Sequence, residues 1–121
     1  MGGKKVLGTV EQVIIKSNNG DKLVEARIDT GAKLSSIDTS LVAELGLGPI
    51  VKAKKIKSAQ GRSLRAVIKV RIILKGEEFN EDFTITDRSH MSYPVLIGRN
   101  ILGKGFIIDP SKKVEDESST N

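Results

Sequence analysis

The run Ile28-Asp29-Thr30-Gly31-Ala32 sets a carboxylate, a hydroxyl and a glycine in immediate succession. It closes the segment "KLVEARID", where Val24, Ala26 and Ile28 share one face and Glu25 and Arg27 take the other. Asp29 therefore emerges at the end of a strand whose inner face is apolar. Asp-Thr-Gly in that place is a competent turn, because Asp and Thr side chains satisfy nearby backbone groups and glycine supplies positive φ. The alternative reading is one half of an acid–base pair, with the other half still to be found. Two carboxylates a few ångströms apart share one proton, so the ionised member activates a water while the protonated member protonates a carbonyl oxygen.

A second segment far downstream, "VLIGRNIL" at 95–102, runs from apolar residues through Gly98-Arg99-Asn100 into one helical turn. Between the two lie other residues with possible chemistry. His90 in "DRSHMSYP" reads first as a solvated loop histidine and only second as a base or ligand. Arg88 suits bidentate capture of a substrate carboxylate, against the blander reading of pairing with a nearby acid. Lys52, Lys54, Lys55, Lys57, Arg62 and Arg65 form a basic run. As structure it is a solvated strand face that discourages edge pairing; as function it attracts acidic peptides.

The elements that must position these residues are mostly strands. "VLGTVEQVIIK" and "KLVEARID" flank Asn19-Gly20, a hairpin signal. "AKLSSID" reads as a small, polar loop lining a cleft. Residues 38–47 read as a short helix, capped by Asp38 or Ser40 and ended by Gly46. Two strands follow, joined around Ala59-Gln60-Gly61-Arg62; in the second, Ile68, Val70, Ile72 and Leu74 alternate with Lys69, Arg71 and Ile73. Lys75-Gly76-Glu77 turns the chain into "EFNEDFTIT", in which Phe79, Phe83 and Ile85 share a parity. "YPVLIG" is continuously apolar and reads as buried on both faces, and "GKGFIID" makes a last strand. The expectation is an all-β fold, a small closed barrel with one or two short helices. Residues 1–110 would form one domain and 111–121 a disordered polar tail.

Composition narrows the class of function. The 121 residues suffice for one core, and 38% hydrophobic with 29% charged content suits a soluble globular chain. No apolar run approaches the ~20 residues of a membrane span, and the start lacks the apolar stretch of a secretory signal. With no cysteine, disulfides and thiolate metal sites are excluded, and a cytoplasmic location follows by default. The net charge of +5 favours acidic partners. Nucleic acid is disfavoured, because four aromatics offer no stacking platform.

Taken together, "IDTGA" at 28–32 and "LIGRNIL" at 96–102 resemble the retropepsins, the single-domain aspartic proteases. "RIDTGAKLSSID" followed by "TDRSHMSYPVLIGRNILGKGFIIDPSKK" is similar, more narrowly, to the retropepsin-like branch labelled ATP-dependent zinc proteases, over roughly residues 10–113. The label meets a physical objection. A catalytic zinc needs about three protein ligands, whereas the sequence has one His, no Cys and no His-Glu-x-x-His, and it has no phosphate-binding glycine loop for ATP. The expected cofactors and metals are none.

The resemblance implies a homodimeric aspartic endopeptidase of acid-protease fold, because one chain carries a single Asp-Thr-Gly. Asp29 would be catalytic. Thr30 would bond across the dimer axis, Gly31 would let the backbone approach the pair and the substrate, and Ala32 with Ile97 or its neighbours would line the cleft. Ala59, Gln60, Gly61 and Arg62 would form the tip of a flap over the substrate, a peptide or protein. Gly98, Arg99 and Asn100 would support the site. The family's association with ligases that add glutamate to proteins suggests a glutamate-bearing substrate. One departure stands out: retropepsins place an acid four residues after the catalytic Asp as partner of the Arg, and here that position is Lys33. Asp38 and Asp109 are the candidate replacements for Arg99. The polar tail also puts dimerisation through apolar chain ends in question. Two other readings compete: a non-catalytic retropepsin-fold module for peptide binding or dimerisation, and a basic β-barrel that binds RNA.

Overall fold

The structure is a computed structural model that describes residues 3–59 and 61–113. Its strands are β1 (Lys5–Leu7), β2 (Val10–Ile15), β3 (Lys22–Ile28), β4 (Ser35–Asp38), β5 (Ile50–Ser58), β6 (Gly61–Leu74), β7 (Glu77–Thr86), β8 (Val95–Ile97) and β9 (Phe106–Ile108). Two short helices interrupt them, α1 (Thr39–Leu45) and α2 (Arg99–Leu102).

Seven strands form one sheet in the order β2-β3-β8-β4-β7-β6-β5, and a further β2–β6 pairing closes it into a ring. Alternation builds the interior. Val13 and Ile15 of β2, Ala26 and Ile28 of β3, and Val70, Ile72 and Leu74 of β6 all point inward and are buried. Ile72 pairs with Phe79 and Ile68 with Phe83 across β6 and β7, and Phe83 is fully enclosed. The short β8 lies between β3 and β4, parallel to one and antiparallel to the other. That central place explains why "VLI" needs no polar alternation.

Asp38 caps α1 by accepting from the Ser40 N–H at 3.0 Å, and Gly46 ends the helix in the left-handed region. The hairpin at Asn19-Gly20 is present, within a six-position loop between Ile15 and Lys22. There the Ser17 N–H donates to Asp21 Oδ1 and the Ser17 hydroxyl reaches the Leu45 carbonyl.

Two sequence expectations are corrected. "VLGTVEQVIIK" is two strands: β1 leaves the ring to pair in parallel with β9, while β2 joins β3 and β6. The break falls at Gly8, whose N–H donates to Glu11 Oε2 and where a side chain would lie 2.4 Å from the Lys112 carbonyl oxygen. "SSID" is not loop but the buried strand β4, paired on both sides. At the start of the stretch expected as tail, Ser111 bonds to Asp109 Oδ1 and Lys112 reaches the buried Glu11 at 3.7 Å. Residues 114–121 of that tail, and Gln60 of the hairpin tip, lie outside the described residues.

Among the described residues no helix is long and apolar enough to cross a membrane. Beyond the ring, β5 and β6 continue as a two-stranded arm paired from Lys52–Val67 out to Ser58–Gly61.

Candidate active site

Asp29 follows the last residue of β3, where its N–H donates to the Ile97 carbonyl at 2.9 Å and so continues the β3–β8 ladder. The Gly31 N–H donates to Asp29 Oδ1 at 2.8 Å. No hydrogen bond engages Oδ2 among the described residues, and the side chain is half-buried. One oxygen is thus oriented by the backbone and the other is left for a reacting partner.

The two sequence motifs meet here. The Arg99 N–H donates to the Ala32 carbonyl at 2.8 Å and the Asn100 N–H to the Lys33 carbonyl at 3.2 Å. Asn100 Oδ1 accepts from both the N–H and the hydroxyl of Ser35, and Asn100 Nδ2 donates to the Asp82 carbonyl at 2.9 Å. Ser35 Oγ in turn accepts from the Gly98 N–H at 3.0 Å. Gly98 must be glycine, since a Cβ would sit 2.6 Å from the Leu34 oxygen and 2.8 Å from the Ala32 oxygen. The residues Gly98, Arg99 and Asn100 therefore hold the Asp29 loop in place by close packing and hydrogen bonds.

Arg99 finds a partner that neither expectation named. Its Nη1 donates to the Thr30 carbonyl at 3.0 Å. Asp38 is taken by Ser40 and by the Arg88 N–H at 2.6 Å, and Asp109 by Ser111. Those hydrogen bonds hold both carboxyls below the ordinary range, the Ser40 hydroxyl being the main cause at Asp38 and the Ser111 hydroxyl at Asp109. Lys33 is exposed. The Thr30 side chain is exposed and makes no hydrogen bond among the described residues.

A cleft of about 260 Å³ adjoins the loop. Ala32, Leu34, Leu96 and Met91 give it an apolar wall, Ser36, Thr84 and Thr86 add hydroxyls, and Lys54, Ile56 and Arg65 enter from the arm. Ala32 and Leu96, the neighbour of Ile97, are among the lining residues, while Ile97 itself is fully buried. At the hairpin tip Ala59, Gly61 and Arg62 are exposed, and from the middle of the arm Lys54, Ile56 and Arg65 line this cleft. Lys54 and Arg65 of the basic run share one arm face with Ile56, which the sequence reading did not single out, Lys54 opposite Arg65 and Ile56 opposite Ser63. His90 is exposed in the loop between β7 and β8.

Arg88 is buried, yet it makes no ion pair among the described residues. Its Nε donates to the Tyr93 carbonyl at 2.9 Å and its Nη1 to Ser36 Oγ at 3.3 Å. Burial lowers its affinity for a proton, opposed by the fields of Asp38 and Asp29.

Known structures share this architecture. A Legionella pneumophila protein of unknown function aligns over 91% of this chain and 96% of its own, with a TM-score of 0.65 and 20% identity. The equine infectious anaemia virus (EIAV) protease, solved with the inhibitor HBY-793, aligns over 80% and 86% with a TM-score of 0.63 and 23% identity. The simian foamy virus protease aligns over 76% and 89% at 0.58 and 14%. At such identities the likeness establishes the fold. Among curated proteins, a "Probable alpha-L-glutamate ligase" of Shewanella pealeana is 30% identical over 77% of this chain, and one of Shewanella halifaxensis 29%. The chain spans about a quarter of those relatives' length, 26% in each case. The family described as "Retropepsin-like aspartic endopeptidase RimB" matches residues 42–118, a span that begins after the Asp29 loop. With well over half of its length in that match and the fold of viral retropepsins around it, the chain belongs to the RimB-like family of retropepsin-like proteins.

Proposed function

We propose that two copies of this chain form an aspartic endopeptidase, each contributing Asp29 to a shared carboxylate pair. The observation that carries the reading is the setting of Asp29: Oδ1 is fixed by the Gly31 N–H, Oδ2 is unengaged among the described residues, and the loop that follows it lines a cleft through Ala32, Lys33 and Leu34. A single Asp-Thr-Gly per chain makes the second copy necessary. The unbonded Thr30 side chain is then available to bond across the two-fold axis, and Arg99 steadies its carbonyl.

In the mechanism one Asp29 is ionised and its counterpart protonated, because two adjacent carboxylates cannot both ionise. The ionised member takes a proton from a water held between them, and that water attacks the peptide carbonyl. The protonated member donates to the carbonyl oxygen, and the proton gained from water passes to the departing nitrogen. The arm of β5 and β6, closing over the substrate, excludes bulk water. Acidic or glutamate-bearing peptides are the proposed substrates. The cationic cleft supports this, as does the glutamate-ligase name of the curated relatives.

Asp29→Asn should abolish cleavage of acidic peptides while leaving the fold and the solution mass unchanged. Activity retained in that variant rules the mechanism out. A second reading, a non-catalytic peptide-binding module, is favoured by Lys33 standing where retropepsins carry an acid. Light scattering separates the two. A dimer near twice 13.1 kDa supports the protease, and a monomer at every concentration supports the binding module.

A further inference from the structure

The cleft against the loop after Asp29 is lined by four cations, Lys33, Lys54, Arg65 and Arg88, and by no acid. Three of them are held in ways that disfavour an empty cleft. Lys54 and Arg65 face each other directly across the β5–β6 ladder, an arrangement in which like charges repel. Neither has an ion pair among the described residues. One step along the same sheet the pattern is different: Lys52 and Lys69 both pair with Asp82, at 2.9 and 3.0 Å. The charge deficit is thus local to the cleft.

Arg88 is the most constrained of the set. It is only 7% exposed, and two neutral acceptors, the Tyr93 carbonyl and Ser36 Oγ, fix its plane from one side. A buried guanidinium without a carboxylate partner is costly, because neutral acceptors replace little of the lost hydration. The same group, preorganised and desolvated, binds an incoming carboxylate strongly and with a set orientation. Leu34, Ile56 and Leu96 around it provide an apolar wall for the methylene stem of an acidic side chain.

We propose that Arg88 is the specificity-determining residue of this cleft, binding a carboxylate of the peptide substrate at its floor while Lys54 and Arg65 close over that carboxylate from the arm. The inference deepens the proposed peptidase function and rests on the same cleft. The Thr86 hydroxyl lines the same space and adds a neutral donor. An uncharged amide of the same shape leaves Arg88 unpaired, so glutamine is rejected where glutamate is accepted. The carboxylate has two sources in a peptide, the glutamate side chain and the free C-terminus.

The test is binding by fluorescence anisotropy to the full-length Asp29→Asn protein, which does not depend on turnover. The probes are fluorescein-labelled tetraglutamate with an amidated C-terminus, tetraglutamine amide, and tetraglutamine with a free C-terminus. At least one carboxylate-bearing probe should bind roughly ten-fold or more tightly than tetraglutamine amide, the scale of a charge-assisted hydrogen bond. The first probe reports side-chain recognition and the third reports the terminus. Arg88→Met should erase the preference, and Arg88→Lys should restore part of it. If Arg88→Met fails to fold, the Lys54→Gln/Arg65→Gln pair on the arm must shrink the preference several-fold. Equal affinity for all three probes overturns the proposal, as does a preference unchanged in the variants. Cleavage assays with Asp29 intact keep the two claims apart. Binding with an Arg88-dependent preference but no cleavage removes only the peptidase reading, whereas cleavage of glutamate and glutamine peptides alike removes only this one.

Discussion

Asn100 Oδ1 accepts both the backbone N–H of Ser35 at 3.1 Å and its hydroxyl at 2.9 Å, joining α2 to the strand that follows the Asp29 loop. With the Asn100 amide donating to the Asp82 carbonyl, one side chain ties three segments together. Replacement by alanine strands partly buried donors and an acceptor at once. Asn100→Ala should cost about 2–3 kcal/mol, the scale of leaving such groups unpaired. Urea denaturation measures this, and peptide cleavage below the denaturation midpoint should fall further than the stability loss alone explains.

Gly98→Ala tests contact rather than hydrogen bonding. The added methyl would press on the Leu34 and Ala32 carbonyl oxygens, and both belong to the backbone. Relief requires moving the Asp29 loop away from α2. A loss of roughly 1–3 kcal/mol is expected from such overpacking. Affinity for the tetraglutamate probe should weaken in parallel, because Ala32 and Leu34 line the cleft.

Asp38 makes a pH prediction. Hydrogen bonds from the Ser40 hydroxyl and the Arg88 N–H lower its folded-state pKa beneath the ordinary carboxylate value. A group with a depressed folded pKa contributes stability above its unfolded pKa, and that contribution is lost as pH falls through the folded one. The wild type should therefore lose stability on acidification below about pH 4. Asp38→Asn should be less stable at neutral pH and show a flatter profile over the same acid range. Thermal melts of both proteins from pH 7 down to pH 2 would read the difference.

Phe83→Ala should remove about 3–5 kcal/mol, since the ring is fully enclosed against Ile68 and its neighbours. For a domain whose whole stability is of order 5–15 kcal/mol, the variant should be close to half unfolded by mild denaturant. Its urea midpoint checks this. The surface position Leu23, 58% exposed, should tolerate alanine with little change.

Much of this architecture is legible in the sequence because it is local. The parity of Val70, Ile72 and Leu74, the cap at Asp38 and the buried run at Val95–Ile97 follow from side-chain period and capping chemistry alone. The two motifs around Asp29 and Arg99 were also visible as a pair. Partner choice was not, since it depends on which segments the fold brings together. Arg99 reaching a carbonyl instead of a carboxylate, β1 leaving β2 at Gly8, and Ser35–Asp38 serving as a strand between β7 and β8 are all non-local outcomes. Arg88 illustrates the point from the other side: pairing with an acid is the simpler expectation, and only the fold leaves its guanidinium outside ion-pair distance of the described carboxylates while Asp38 and Asp29 act on it through their fields. The cleft-facing side of the arm was within reach, because placing Ala59 and Gln60 at the turn sets Lys54 opposite Arg65.

The bond from the Asp29 N–H to the Ile97 carbonyl has a consequence for synthesis. A ribosome that has just added Asp29 must add 68 further residues, the difference between positions 97 and 29, before that acceptor exists. At about 5–20 residues per second this takes roughly 3–14 seconds, with the exit tunnel still to clear. Until then neither α2 nor β8 is available to brace the loop, and β1 waits longer still for Phe106–Ile108. The nascent chain therefore carries its carboxylate unbraced until β8 and α2 have emerged.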